Sequence, residues 1–208
     1  MSPAPATRGE PPPTVLLDQE TLAGHIERLA SQIVADHPSG VVLVGVLKGA
    51  LIFLADLARA IQGIDLVVDF LAISRYAPDS GRVRILKDLD IDVDGRDVVL
   101  VEDLVDTGLT LAYLLSHVRE RNPRSLDVCT MLDRPARRIV PLTVRYVGRE
   151  IEDVFVLGYG LHRADLYRNV PYIVEADRRV IHDRPAAYVD ALYGGVGAGG
   201  ARPVRGSG

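Results

Sequence analysis

"VVLVEDLVDTGLTLAYLL", Val98 to Leu115, joins two kinds of structure across a crowd of acids. Val98 to Val101 are uninterrupted aliphatics, the pattern of a strand buried on both faces. Leu111, Leu114, Leu115 and Val118 then recur at helical spacing. Between the two lie Glu102, Asp103 and Asp106, three carboxylates within five residues. Like charges that close repel one another, so folding alone gives no reason to put them there. In open parallel sheets ligands bind beyond the carboxyl ends of the strands. The acids are therefore expected just past a strand end, in a loop that opens a helix, facing a site.

Working outward, the chain alternates in type. Leu22, Ile26, Leu29 and Ile33 predict an amphipathic helix over roughly 18–36. "VVLVGVL" (41–47) is a continuous aliphatic strand, followed by a helix carrying Phe53, Leu54, Leu57 and Ile61. "IDLVVDFLAIS" (64–74) is the next strand, "RYAPDSGR" (75–82) a loop, and "VRILKDL" (83–89) a further strand before the turn "DIDVDGRD". Strands at 98–102, 126–132, 144–148, 155–160 and 172–176 complete the series. Near-continuous aliphatic strands alternating with helices predict an α/β fold, a mostly parallel sheet covered on both faces. Residues 1–13 hold five prolines, and "GGVGAGGARPVRGSG" (194–208) is rich in glycine. Neither has the apolar content to offset ordering entropy, so flexible tails are expected at 1–13 and 191–208 around one domain, 14–190.

Composition narrows the class. The 208 residues are 48% hydrophobic with a net charge of −4, which supports a substantial core and disfavours a nucleic-acid binder, usually basic on one face. No apolar run reaches the roughly 18–20 residues of a membrane span, and the N-terminus lacks the apolar segment of a secretory signal. The single cysteine, Cys129, permits no intrachain disulfide and suits a reducing cytoplasm.

The loop "DTGLT" (106–110) opens a helix. Backbone N–H groups there favour a phosphate, Gly108 lets it approach, and Thr107 and Thr110 add hydroxyls. A simple N-cap accounts for the same residues equally well, but a cap explains one acid, not three. Acids beside an anion site suggest a divalent cation or sugar hydroxyls. No Walker A pattern is present. Lys48 and Gly49, between a strand and a helix, have the make-up of a second, smaller anion site, although an isolated lysine is usually just a surface residue. "DLDIDVDG" (88–95) imitates the start of a calcium loop, but its twelfth position is Val101 and strands flank it, so it is expected to be a polar turn. The five histidines show no metal-ligand spacing, and no G-x-S-x-G supports nucleophilic acyl transfer.

The run Val99–Thr110, "VLVEDLVDTGLT", closely resembles the phosphoribosyl pyrophosphate (PRPP) signature of the purine phosphoribosyltransferases. "VGVLKGALIFLADL", "VDFLAISRYAPDSGRVRILKDLD", "TMLDRPARR", "YVGREIEDVFVLGYGL" and "LYRNVPYI" follow the family's order and spacing over about residues 14–190, most like bacterial hypoxanthine-guanine phosphoribosyltransferases. The resemblance implies the type I phosphoribosyltransferase fold with a small hood, and Mg²⁺-dependent transfer of ribose 5-phosphate from PRPP to a 6-oxopurine, releasing pyrophosphate. It implies that Glu102 and Asp103 hold Mg²⁺–PRPP and the ribose hydroxyls, and that Asp106 is a general base on the purine. Leu104 to Thr110, including Val105 and Leu109, would surround the PRPP phosphate. Lys48, Gly49 and Arg168 would meet pyrophosphate, Lys48 through a cis peptide after Leu47. Ser74, Arg75 and Tyr76 would belong to a closing loop. Arg134, Phe155, Val156 and His162 would face the purine. A homodimer or homotetramer is also implied, with no nucleic-acid or membrane partner.

Four positions depart from the family pattern. Arg134 stands where a lysine is usual, His162 where an aspartate is usual, Arg75 interrupts a Ser-Tyr pattern, and Arg149 replaces a phenylalanine. Arginine's planar fork is not equivalent to an ammonium, and imidazole is a poor Mg²⁺ ligand. Arg134, Arg149 and His162 near the site suggest a base more oxygenated than hypoxanthine, such as xanthine. Three readings stand: a 6-oxopurine phosphoribosyltransferase, one with another base, and a PRPP-sensing regulator that binds nucleic acid. Retention of Asp106, and of Ser74 and Tyr76, argues against the last.

Overall fold

The computed structural model describes residues 12–74 and 84–194. Six strands form the main sheet in the order β4-β3-β2-β5-β6-β7: β2 (Val41–Leu47), β3 (Leu66–Ser74), β4 (Arg84–Lys87), β5 (Asp97–Val105), β6 (Ser125–Asp133) and β7 (Tyr146–Glu150). All neighbours run parallel except β3 and β4. The aliphatic runs divide by alternation. Leu43, Val99 and Val101 face a core shared with α1 (Gln19–Asp36) and α2 (Leu51–Ala60). Val42, Val44, Val98 and Leu100 face the opposite core, under α3 (Leu109–Arg119). Helix α1 buries Leu22, Ile26, Leu29, Ala30 and Ile33, and starts where the Asp18 side chain accepts from the Thr21 amide at 2.8 Å.

This division positions the site. The chain leaves β2 through α2 toward β3 on one face, and leaves β5 through α3 toward β6 on the other. The two connections diverge between adjacent parallel strands, which opens a crevice at their carboxyl ends. The turn at 48–50 and the loop at 106–108 flank it.

A second sheet, antiparallel and three-stranded, forms a hood: β1 (Thr14–Leu17), β9 (Ile173–Ala176) and β8 (Phe155–Leu157). Leu157, Tyr167, Val174, Ile181, Tyr188 and Leu192 make its core with the short helices α4 (Arg178–Asp183) and α5 (Val189–Tyr193).

Several boundaries correct the sequence reading. Strand β5 continues to Val105, so Glu102 and Asp103 lie within it rather than past its end; pairing of Glu102 with Thr130 and Leu104 with Leu132 prolongs it. The strand expected over 155–160 ends at Leu157, because Gly158, Tyr159 and Gly160 all take positive φ. It and 172–176 belong to the hood, not the main sheet. The strand expected at 144–148 lies at 146–150. Strand β1 and helices α4 and α5 were not foreseen, and α5 carries order through Tyr193 into the segment expected to be a tail. Apart from residues 12, 13 and 194, the rest of the expected tails and the loop at 75–82 fall outside the described residues. No helix among the described residues is long and apolar enough to cross a membrane.

Candidate active site

A cavity of about 420 Å³ opens at the carboxyl end of β5. Its floor is the loop from Asp106 to Thr110, and the mechanism that shapes this loop lies behind it. Three consecutive carbonyls point away from the cavity into residues 134–140. Val105 O accepts from the Arg134 amide at 3.0 Å, and Thr107 O from the Ile139 and Val140 amides at 2.9 and 3.3 Å. Asp106 O accepts from Arg138 Nε at 3.1 Å. Arg138 in turn pairs with Asp133 at the end of β6. This strap includes a 3-10 turn, Pro135–Arg137, and packs directly on Gly108. Gly108 takes φ 84° and caps α3, and the first-turn amides of α3 have no intrahelical acceptors. No acidic residue occupies that first turn, so the helix start offers donors and a positive dipole end.

Glu102 and Asp103 are 6% and 8% exposed. Asp103 Oδ1 accepts from the Leu104 amide at 2.8 Å. Its other oxygen fills the space a Cβ on Gly49 would take, inside 3.0 Å. Both acids line the main cavity and a neighbouring one of about 210 Å³, where Lys48, Gly49 and Arg168 join them. The Leu47–Lys48 peptide is cis. Arg168 donates to Gly160 O at 2.6 Å and lies 3.0 Å from Asp165, which is also 3.6 Å from Lys48 Nζ. Arg168 first, then Lys48, holds the Asp165 carboxyl below its usual range.

On the opposite wall Phe155, Val156 and Leu161 bring an apolar surface from the hood. Arg134 is 5% exposed and spans the two halves. Its Nη2 donates to Val154 O at 2.5 Å, its Nη1 lies 3.5 Å from Asp106 Oδ1, and its buried Nε has no hydrogen-bond acceptor among the described residues. Burial lowers its pKa from the usual guanidinium value, against the pull of Asp106 and Asp153. His162 borders both cavities. Its Nδ1 accepts from the Asp165 amide at 3.1 Å, which assigns the proton of the neutral ring to Nε2.

The cavities therefore bring together Glu102 to Gly108, Thr110, Arg134, Phe155, Val156 and His162 in one, and Lys48, Gly49 and Arg168 in the other. Leu109 is exposed and outside both, and Arg149 is exposed on β7 and does not line either, which corrects its expected place near the site. Ser74 ends β3, its Oγ buried without a hydrogen-bond partner among the described residues. Arg75 and Tyr76 lie outside those residues. In "DLDIDVDG" the carboxylates serve separate partners: Asp88 binds His117 and Arg121, Asp90 pairs with Lys87, and Asp94 accepts from Asn122. This is a polar turn and not a calcium loop. The strap residues Arg137 and Arg138 carried no role from sequence; three arginines within five residues after a strand were the signal.

A helix start offering first-turn donors, two buried acids and an apolar wall meet at a sheet switch point, a make-up suited to a phosphorylated substrate in an α/β enzyme. The family model described as "Phosphoribosyl transferase domain" matches residues 14–163. Hypoxanthine-guanine phosphoribosyltransferase of Mycobacterium avium is 45% identical over 177 residues, 80% of this chain and 87% of that one. Hypoxanthine phosphoribosyltransferase of Escherichia coli is 42% identical over 165 residues, 76% and 92% of the two chains. A crystal structure of the hypoxanthine-guanine enzyme of Bacillus anthracis superposes with a TM-score of 0.75 at 41% identity, covering 78% of this chain and 98% of that one. The chain belongs to the phosphoribosyltransferase family and has its type I fold.

Proposed function

We propose that this protein transfers the 5-phosphoribosyl group of PRPP to N9 of hypoxanthine or guanine, releasing pyrophosphate and forming IMP or GMP in purine salvage. The observation that carries this is the junction at His162, Glu102 and Asp103 of a cavity with a helix-start floor and an apolar wall with a cavity lined by Lys48 and Arg168. One suits a phosphate, sugar and flat base, the other a diphosphate. The names and coverage of the relatives support the 6-oxopurine over other bases and over a regulator.

Bond breaking at the sugar leaves a cationic ribose and a highly charged leaving group. Lys48 and Arg168 stabilise the departing diphosphate. The amides and hydroxyls from Thr107 to Thr110 hold the 5′-phosphate. Phe155 packs on the purine, Val156 lines its edge, and Arg134 donates to its 6-oxo oxygen through the otherwise unpartnered Nε. Asp106 takes the proton that the purine loses, a contribution of about 10²–10⁴-fold for such a base. Ser74, Arg75 and Tyr76 belong to a segment that excludes water.

Among the described residues no group of three or more candidate ligands gathers for a metal. Two adjacent buried acids nonetheless fit Mg²⁺, which is commonly held by one or two carboxylates together with substrate phosphates. Glu102 and Asp103 would hold it, and the missing Cβ of Gly49 leaves the space that the Asp103 carboxylate occupies. The ion would supply charge neutralisation at the diphosphate. His162, with its proton on Nε2, is a donor toward anionic oxygen and not a ligand. The same reading places the enzyme in the cytoplasm, consistent with its lone buried thiol, as a homodimer or homotetramer.

The test is steady-state turnover with PRPP, Mg²⁺ and hypoxanthine or guanine by the wild type and Asp106→Asn. The reading expects IMP or GMP from the wild type, and kcat lower by at least about 10²-fold in the variant with PRPP binding kept. Full kcat in Asp106→Asn at every pH would remove the base assignment.

A further inference from the structure

Asp106 is the inner end of a line of alternating charges that leads out of the cavity. Its Oδ1 lies 3.0 Å from Arg137 Nε. Arg137 Nη1 lies 3.1 Å from Asp153 Oδ1, and that same oxygen accepts from Arg178 Nη2 at 2.6 Å. The four residues come from the phosphate loop, the strap after β6, the turn before β8 and the first residue of α4. The line thus runs from the main domain into the hood. Arg178 and Arg137 hold the Asp153 carboxyl below its usual range.

Asp106 Oδ1 is buried and lacks a hydrogen bond of good geometry among the described residues. Its orientation therefore rests on the two guanidiniums beside it. Arg134 is already committed to Val154 O and turns its Nε inward. Arg137 does not line the cavity, so it can act on chemistry only through Asp106.

We propose that Arg137 is a positioning residue, holding the Asp106 carboxylate turned to the cavity and coupling that orientation to the hood through Asp153 and Arg178. The inference rests on the base role proposed for Asp106. The charged and titratable groups around that carboxylate are Arg134 and Arg137 on the strap, Arg138 behind its carbonyl, Asp133 on β6, Glu102 and Asp103 on β5, and His162 across the cavity. Of these, Arg137 makes the shortest ion pair to the carboxylate itself. Side-chain exposures of 35%, 48% and 50% for Arg137, Asp153 and Arg178 mean that the outer links add little to stability. Their effect falls on the carboxylate they orient.

The experiment uses full-length Arg137→Met, Arg137→Lys and Asp153→Asn with two readouts. The first is the ¹³C resonance position of the Asp106 carboxyl carbon at pH 7 in the free protein, assigned by its loss in Asp106→Asn. Losing the guanidinium beside that oxygen moves the resonance in Arg137→Met, and moves it less in Arg137→Lys. The second is steady-state turnover: kcat falls about 3–10-fold in Arg137→Met while KM for PRPP stays within about twofold, and Arg137→Lys recovers part of the loss. Asp153→Asn lowers kcat in the wild-type background and adds nothing to Arg137→Met. An unmoved Asp106 resonance in a folded Arg137→Met overturns the proposal, and additive losses overturn its link to the hood. The NMR readout decides the Arg137–Asp106 link even if no base is turned over, an outcome that would instead sink the function proposed above.

Discussion

Gly49 and Asp103 compete for one volume: a Cβ on Gly49 would fall inside 3.0 Å of both Asp103 carboxylate oxygens. The turn after β2 and the last residues of β5 are thus fitted to each other at the crevice. Because the obstacle is the end of a side chain, Gly49→Ala can be accommodated by turning Asp103 aside. The fold should survive with little change in Tm, while the carboxylate proposed to hold Mg²⁺–PRPP is displaced. Turnover is expected to fall by about 10²-fold or more, as for comparable misplacements of a catalytic group. Gly160→Ala makes the opposite case. Its Cβ would strike the Gly49 carbonyl, a backbone atom, at a φ of 96°. It should lose about 1–3 kcal/mol of stability, read as a lower midpoint in urea. Equal Tm losses in the two variants would contradict this contrast.

Arg134 joins Asp106 to the carbonyl of Val154 and leaves one N–H for substrate. Arg134→Ala should lower kcat/KM for hypoxanthine by about 10–10²-fold, the range for one lost hydrogen bond to a buried polar group. Arg134→Lys keeps a charge but not the fork, and should recover part of that loss. The measurement is kcat/KM for hypoxanthine, guanine and xanthine in all three proteins. Because all three bases carry a 6-oxo oxygen, losses of similar size for each would follow if Arg134 reads it; an unchanged kcat/KM would assign it no part in base binding.

At the other end of the sheet Asp97 gathers Arg124, Ser125 and the buried His37. Arg124 above all holds its carboxyl well below the usual carboxylate range. A depressed folded pKa stabilises the fold at pH above the unfolded value, about 3.9, and that stability is lost as pH falls toward the folded value. Asp97→Asn should therefore cost about 2–3 kcal/mol at pH 7, and the gap from the wild type should narrow below about pH 4. Urea midpoints at pH 7 and pH 3 test this. A gap that stays constant across that range would show that the ionised carboxylate is not what matters.

Periodicity made much of this fold legible. The aliphatic runs of β2 and β5 and the helical spacing of α1 and α3 are local signals, and the structure places them as expected. The hood was implied by resemblance alone; the residues showed two of its strands without their sheet, and β1 was missed because it is four residues long and pairs with β9 from the far end of the chain. Glu102 and Asp103 read as the end of a strand because acids rarely sit in one. Their place inside β5 depends on pairing with β6, which no local pattern records. At the site, "DTGLT" was readable from its own residues as far as cap or phosphate loop. Arg134 and His162 came forward only through resemblance. Arg137 and Arg138 gain meaning only where the strap meets the carbonyls of 105–107, a contact between segments some thirty residues apart.

The central claim is phosphoribosyl transfer to a 6-oxopurine, and base-dependent pyrophosphate release tests it most directly. Purified protein is incubated with PRPP, Mg²⁺ and, separately, hypoxanthine, guanine, xanthine, adenine or no base. Release with hypoxanthine or guanine, and background release with adenine or no base, is the predicted result. Binding of PRPP with no release in the presence of any base would contradict it.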